Sequence, residues 1–182
     1  MIAAARTRKL RSALIAALTA AVAALAAPGV ASAACVGADD EPTAVSLVVS
    51  ERATFCLLNV ERSDHGLRPL RRNRRLDLAS TRHARAMALR DYFEHGNFVG
   101  RIKRANYLRG ARSWSLGENI AWGSGTLGTP REIVDAWMHS PGHRANILNR
   151  SFREIGIGIA RGTPVPAYSD GATYATDFGR RG

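Results

Sequence analysis

The chain has 182 residues, 23% of them charged, with a formal net charge of +11. That length suits one domain, and a domain of this size buries roughly 70% of its surface on folding. Only Lys9 and Lys103 of the 26 basic residues are lysine, so the Arg- and Ala-rich bias is a habit of the whole chain, and charge alone does not single out an anionic partner.

The first 33 residues read as an export signal. Arg6, Arg8, Lys9 and Arg11 give a positive start with no acid nearby, and an apolar run from Ser12 to Ala27 follows. Pro28 and Gly29 break it before the small-x-small pattern Ala31-Ser32-Ala33. The run, about 16 residues, is short of the roughly 20 that a spanning helix needs. Cleavage after Ala33 and a secreted, extracellular protein are expected. An uncleaved anchor and a lipid-modified Cys35 are the alternatives, and Ser32 stands where a lipoprotein signal carries Leu. Loss of the four basic residues lowers the charge to +7. A short extension, 34–43, then leads into a domain over 44–182. Cys35 and Cys56, the two cysteines, are expected to pair outside the cell, tying the new N-terminus to the first helix and contributing about 3 kcal/mol.

From Val45 to Asp64, Val45, Val49, Ala53, Cys56, Leu57 and Val60 recur at helical spacing, and Gly66 closes the helix. A basic connection, "GLRPLRRNRR", precedes a second helix capped by Asn73, with Leu76, Ala79, His83, Ala86 and Met87 inward and an end near Tyr92. A short helix is expected over 101–108, closed by Gly110. "SWSLGENIAWG" reads as a strand entering a glycine-rich turn. Thr129-Pro130-Arg131-Glu132 has the form of a capping box with proline at the first helical position, opening a helix that turns Ile133, Val134 and Trp137 inward. Ser140-Pro141 marks a break and a fresh helical turn through Leu148. "EIGIGIARG" and "ATYATDFG" end the chain as strands. This order predicts an α+β domain in which helices cover a small sheet.

Five histidines are candidates for chemistry. His139 and His143 in "HSPGH" have the spacing of a zinc-protease motif, but Ser140-Pro141-Gly142 interrupts the helix and no Glu stands between them, which excludes that mechanism. His83 reads as a hydrogen-bonded core residue, and His65 as a complement to a helix dipole. His95, Glu118 and His143 each lie where a regular element meets a loop. Brought together, they would make a divalent-metal site with a fourth position open to water.

Six segments in order, "LLNVERSDHGLRPL", "FEHG", "GENIAWG", "WMHSPGHRANIL", "EIGIGIA" and "YATDFG", are similar to those of bacterial CAP-domain proteins, relatives of the cysteine-rich secretory, antigen 5 and pathogenesis-related proteins. The resemblance runs from about Val45 to Gly179 and implies an α-β-α sandwich. It also implies a metal cleft, onto which His95, Glu118 and His143 match as ligands. The second glutamate of the animal and plant members, three residues after Trp137, is Ser140 here, so the tetrad becomes a triad and weaker binding of Zn2+ or another divalent cation is expected. Asn59 and Arg62 match a structural "NxxR" element, and Leu58 replaces the histidine that precedes it in many eukaryotic members.

These readings point to a secreted, non-enzymatic domain that binds a divalent metal and, by the family's association with lipids, a lipid or cell-surface ligand. A metal-dependent hydrolase is the first alternative, although the triad lacks a persuasive general base or oxyanion device: Glu94 adjoins His95, but neighbouring residues usually point in different directions. A cationic binder of anionic wall polymers is the second, resting on Arg68, Arg71, Arg72, Arg74 and Arg75. No aromatics interleave that stretch, so no specific nucleic acid is signalled, and nothing calls for more than a monomer.

Overall fold

A computed structural model of the chain describes residues 35–168 and 170–182; the predicted export segment lies outside the described residues. The elements run α1 (Leu47–Asp64), β1 (Arg71–Arg72), α2 (Arg74–Leu89), α3 (Phe98–Arg104), β2 (Trp114–Ser124), α4 (Pro130–His139), α5 (Pro141–Ile147), β3 (Glu154–Arg161) and β4 (Gly171–Arg181). The four strands form one sheet in the order β1-β3-β4-β2. β1 runs parallel to β3, and the other neighbours are antiparallel. α1, α4 and α5 cover one face and α2, with α3 beyond it, covers the other, which is an α-β-α sandwich. Among the described residues, no helix is long and apolar enough to cross a membrane.

The alternation in "EIGIGIA" sets the spacing of the layers. Ile155, Ile157 and Ile159 enter the larger core with Trp137, Tyr174 and Phe178. Gly156 and Gly158 face α2 at a distance no side chain tolerates. A Cβ at Gly156 would stand 2.0 Å from the Leu76 carbonyl carbon, and one at Gly158 would stand 2.1 Å from the Thr81 nitrogen. The helix backbone therefore rests directly on the sheet, close enough for its short side chains to reach strand residues.

Several local expectations shift. α1 starts at Leu47 and buries Ser50, Ala53, Thr54, Leu57 and Leu58, a stripe rotated from the predicted one. Thr54 is accommodated there because its hydroxyl donates to the Ser50 carbonyl at 2.8 Å. On α2, Ala84 is buried while Ala86 is only half-buried. α3 begins three residues before its predicted start, because Asn97 accepts the Gly100 N–H at 2.7 Å. It ends at Arg104 with Ala105 as its C-cap, and Asn106 then takes the left-handed conformation (φ 61°) that usually falls to glycine at a helix end. The two residues of β1 lay inside the basic connection, too short for an apolar alternation to announce them.

The caps of α4 and α5 are simpler than predicted. The Thr129 hydroxyl accepts the Glu132 N–H at 3.4 Å, but the Thr129 N–H donates to the Thr126 carbonyl at 3.2 Å. Ser140 caps α5 by backbone position without a side-chain bond.

Cys35 and Cys56 form a disulfide. Residues 35–38 are not a loose extension: Cys35 and Ala38 are buried in the larger core, and the Ala38 carbonyl accepts the Arg131 N–H at the start of α4.

Candidate functional site

Strand β2 presents "GEN" to both layers. Glu118 faces the α2 side and lies opposite Asp177 of β4, which in turn lies opposite Gly156 of β3. The close approach of α2 over the glycines brings the Ser80 hydroxyl to Asp177 Oδ2 at 2.8 Å, and the same hydroxyl accepts the Asp177 N–H at 3.1 Å. Asn119 faces α5. Its amide donates to the His143 carbonyl at 3.1 Å, and Asn146 donates to both Asn119 Oδ1 (2.9 Å) and the Glu118 carbonyl (3.1 Å). The ring of His143 lies 6.5 Å from that of Trp137, whose indole N–H donates to the Ile120 carbonyl at 3.1 Å.

The Glu118 side chain is 1% exposed and fully engaged. Its Oε1 accepts from His95 Nδ1 at 2.9 Å, and its Oε2 is paired with Arg101. Arg101 also donates to the His95 carbonyl at 2.8 Å, so one guanidinium holds both the carboxylate and the loop that carries the histidine. His83 donates Nε2–H to the Glu94 carbonyl at 3.0 Å and stands 4.0 Å from Glu118.

Burial governs the protonation of this cluster. It holds Asp177 well above the usual carboxylate range, assisted by the neighbouring Glu118 charge. Glu118 is raised by the same burial, against the opposing hydrogen bond and charge of Arg101. Asp177 Oδ1 is buried and meets no donor, which favours the neutral acid at that position. His83 is pushed down to about 4, by burial first and then by Arg101. His95 is lowered by burial and Arg101, and His143 by burial and by His95. The imidazoles are therefore neutral at pH 7. With its Nδ1 proton given to Glu118, His95 keeps the Nε2 lone pair free.

The residues named from sequence separate into different tasks. His95 and His143 lie near enough for the charge of one to lower the pKa of the other. Among the described residues, no three His, Cys, Asp or Glu side chains make a ligand set for a metal ion, so the expected set of His95, Glu118 and His143 is not assembled; both Glu118 oxygens are instead paired, with His95 and Arg101. Trp137 is core, and Ser140 joins α4 to α5. Asn59 brackets Leu70, accepting its N–H at 2.7 Å and donating to its carbonyl at 3.3 Å. Arg62 is 1% exposed and donates to the carbonyls of Arg68 (3.0 Å), Ile147 (2.6 Å) and Asn149 (3.1 Å), satisfying the C-terminal end of α5. Arg101, Asp177 and Ser80 had no place in the sequence reading. An acid inside the otherwise apolar "TYATDFG" was the one available signal, and nothing distinguished Arg101 from its many neighbours.

The model of the CAP, cysteine-rich secretory protein, family matches residues 55–169. Bacillus subtilis protein YkwD is 37% identical over 122 residues, covering 64% of this chain and 44% of YkwD. The B. subtilis membrane protein YlbC is 29% identical over 117 residues, covering 62% and 32%. The chain thus spans less than half the length of these curated relatives. Among solved structures, an extracellular Bacillus anthracis protein containing an SCP domain superposes with a TM-score of 0.58 at 26% identity, over 71% of this chain and 39% of that one. An outer surface protein of Borrelia burgdorferi superposes at 0.62 with 18% identity, over 76% and 97%.

Proposed function

Because the chain belongs to the CAP, cysteine-rich secretory protein, family, we propose that it acts as an exported, non-enzymatic binding domain whose cleft holds a divalent cation such as Zn2+ between His95 and His143. Glu118 then orients His95 and is not itself a ligand. The bond from His95 Nδ1 to Glu118 carries this reading. It is the carboxylate–histidine arrangement that fixes the tautomer and aims the other ring nitrogen at a metal. Water or an exogenous ligand completes the coordination. Two imidazoles beside the Arg101 cation make a weak site. Export is supported by the signal-like first 33 residues, the disulfide, and the extracellular and outer-surface descriptions of the two structural neighbours.

A hydrolytic reading draws on the same dyad, since an oriented neutral imidazole is also a base. The non-enzymatic reading is preferred because the buried Glu118 carboxylate is committed to Arg101 and His95.

Zinc titration by calorimetry on metal-free protein separates these roles. His95→Ala and His143→Ala should abolish binding, and Glu118→Gln should weaken it about 10–100-fold, the effect of losing an orienting partner. Binding indifferent to both histidines would overturn the proposal. Peptide or ester turnover that vanishes in His143→Ala would establish the hydrolase instead.

A further inference from the structure

Beside Arg101, a pocket of about 290 Å³ opens between α2 and α3. Ala79, Ala86 and Ala105 line it together with His83, Tyr92 and Asn97, and four arginines join them: Arg82 on α2, Arg90 at its C-cap, and Arg101 and Arg104 on α3. Ala79, Arg82, Ala86 and Arg90 recur at helical spacing, so one face of α2 presents a basic stripe to the basic end of α3.

No carboxylate lines the pocket. Among the described residues, the guanidinium groups of Arg82, Arg90 and Arg104 take part in no ion pair or side-chain hydrogen bond. Arg101 is neutralised by Glu118, yet its Nε–H is buried with no acceptor. Like charges facing one another across a groove are unfavourable, and a buried donor without an acceptor forfeits its hydration with nothing in return. An anion bound among the guanidinium groups relieves the repulsion.

We propose that this pocket is a binding site for a phosphate group carried on a small polyol or sugar-like body. A single carboxylate is satisfied by one guanidinium fork, whereas a tetrahedral phosphate, with more charge and more acceptor oxygens, suits several converging forks. The volume lies at the small end of ligand sites, enough for the phosphate and a short body beside the alanines. Neither His95 nor His143 lines the pocket, so the proposed metal ligands and the phosphate site share no residue, although Arg101 adjoins both.

The test is calorimetry with glycerol 3-phosphate in about 0.15 M salt, where diffuse surface attraction is largely screened. Arg82→Gln/Arg104→Gln should weaken binding by about tenfold or more, and Arg90→Gln should weaken it in parallel. All three side chains are exposed, so melting temperatures should stay unchanged. Arg68→Gln/Arg71→Gln removes the same charge from the distant connection and should leave affinity unchanged, as should His143→Ala. The proposal fails if glycerol 3-phosphate does not bind, if both double variants weaken it equally, or if glycerate binds as tightly. Vesicles of phosphatidylcholine with and without phosphatidylglycerol identify the source. Capture that needs phosphatidylglycerol, is lost in Arg82→Gln/Arg104→Gln and is competed by glycerol 3-phosphate marks a lipid headgroup. Phosphate binding without vesicle capture marks a free phosphorylated ligand.

Discussion

The two faces of the central sheet are built on opposite rules. Toward α1, α4 and α5, the strands send out large apolar side chains, Ile155, Ile157, Ile159, Tyr174 and Phe178, packed with Trp137. Toward α2, the same strands offer Gly156, Gly158 and Ala175, and into the space left at the end of that layer go Ser80, His83, Glu118 and Asp177, all buried. Stability on the first face comes from volume and apolar area. On the second it depends on each polar group meeting its partner, because an unpaired charge or donor there loses more than it would in water. The arginine pocket and the Glu118 side chain with its His95 partner belong to the second face, whereas His143 comes from α5 on the first.

Adjacent residues of β3 offer the sharpest way to break this contrast. Ile157→Ala should cost about 2–5 kcal/mol through lost contact and a cavity, while leaving the His83 and His95 resonances unmoved. Gly158→Ala places a methyl group 2.1 Å from the Thr81 nitrogen and 2.3 Å from the Ser80 carbonyl carbon. The cost should be about 3 kcal/mol, with both resonances displaced as α2 lifts. Denaturant titration and imidazole NMR on both variants decide it. Equal disturbance of the polar cluster by the two changes would show that the faces are not independent.

A comparable loss is expected from the ion pair. Arg101→Gln strands the Glu118 carboxylate in the interior and should cost about 3–5 kcal/mol at pH 7. Adding Glu118→Gln should restore most of that. A double-mutant cycle with simply additive costs would mean that the pair contributes no coupling.

The pH dependence gives a smaller, graded effect. With its folded pKa pushed down to about 4, His83 resists a proton that the unfolded chain accepts near 6.5. The unfolded state therefore binds more protons between those values, and His83 removes up to about 3 kcal/mol of stability as pH falls from 6.5 to 4. Asp177, raised in the fold, acts in the opposite sense and offsets part of the loss. Stability measured across that range should fall less steeply in His83→Gln than in the parent. An unchanged slope would show that His83 is protonated in the folded state.

Periodicity and capping residues determined much of the molecule. Asn73, Thr129-Pro130 and the alternating "EIGIGIA" mark elements through local physics, a side-chain oxygen meeting a free N–H or a two-residue repeat, and the structure places helices and strands there. Six motif segments in order sufficed to identify the family. Short elements were less legible: β1 is two arginines whose pairing depends on β3, more than eighty residues away, and α3 begins where Asn97 happens to cap it.

The surroundings of each site residue were decided by tertiary structure. His95, Glu118 and His143 could be nominated from their types and positions, but the sequence contains no sign that Arg101 meets Glu118 or that Asp177 lies beside it. Those contacts arise because register pairs β2 with β4 and because two glycines let α2 rest on the sheet. A carboxylate's role depends on what neutralises it and how deeply it is buried, and both follow from residues distant in the chain. Sequence therefore determined the fold and the chemical inventory, and only the packed structure decided that Glu118 holds a histidine in place.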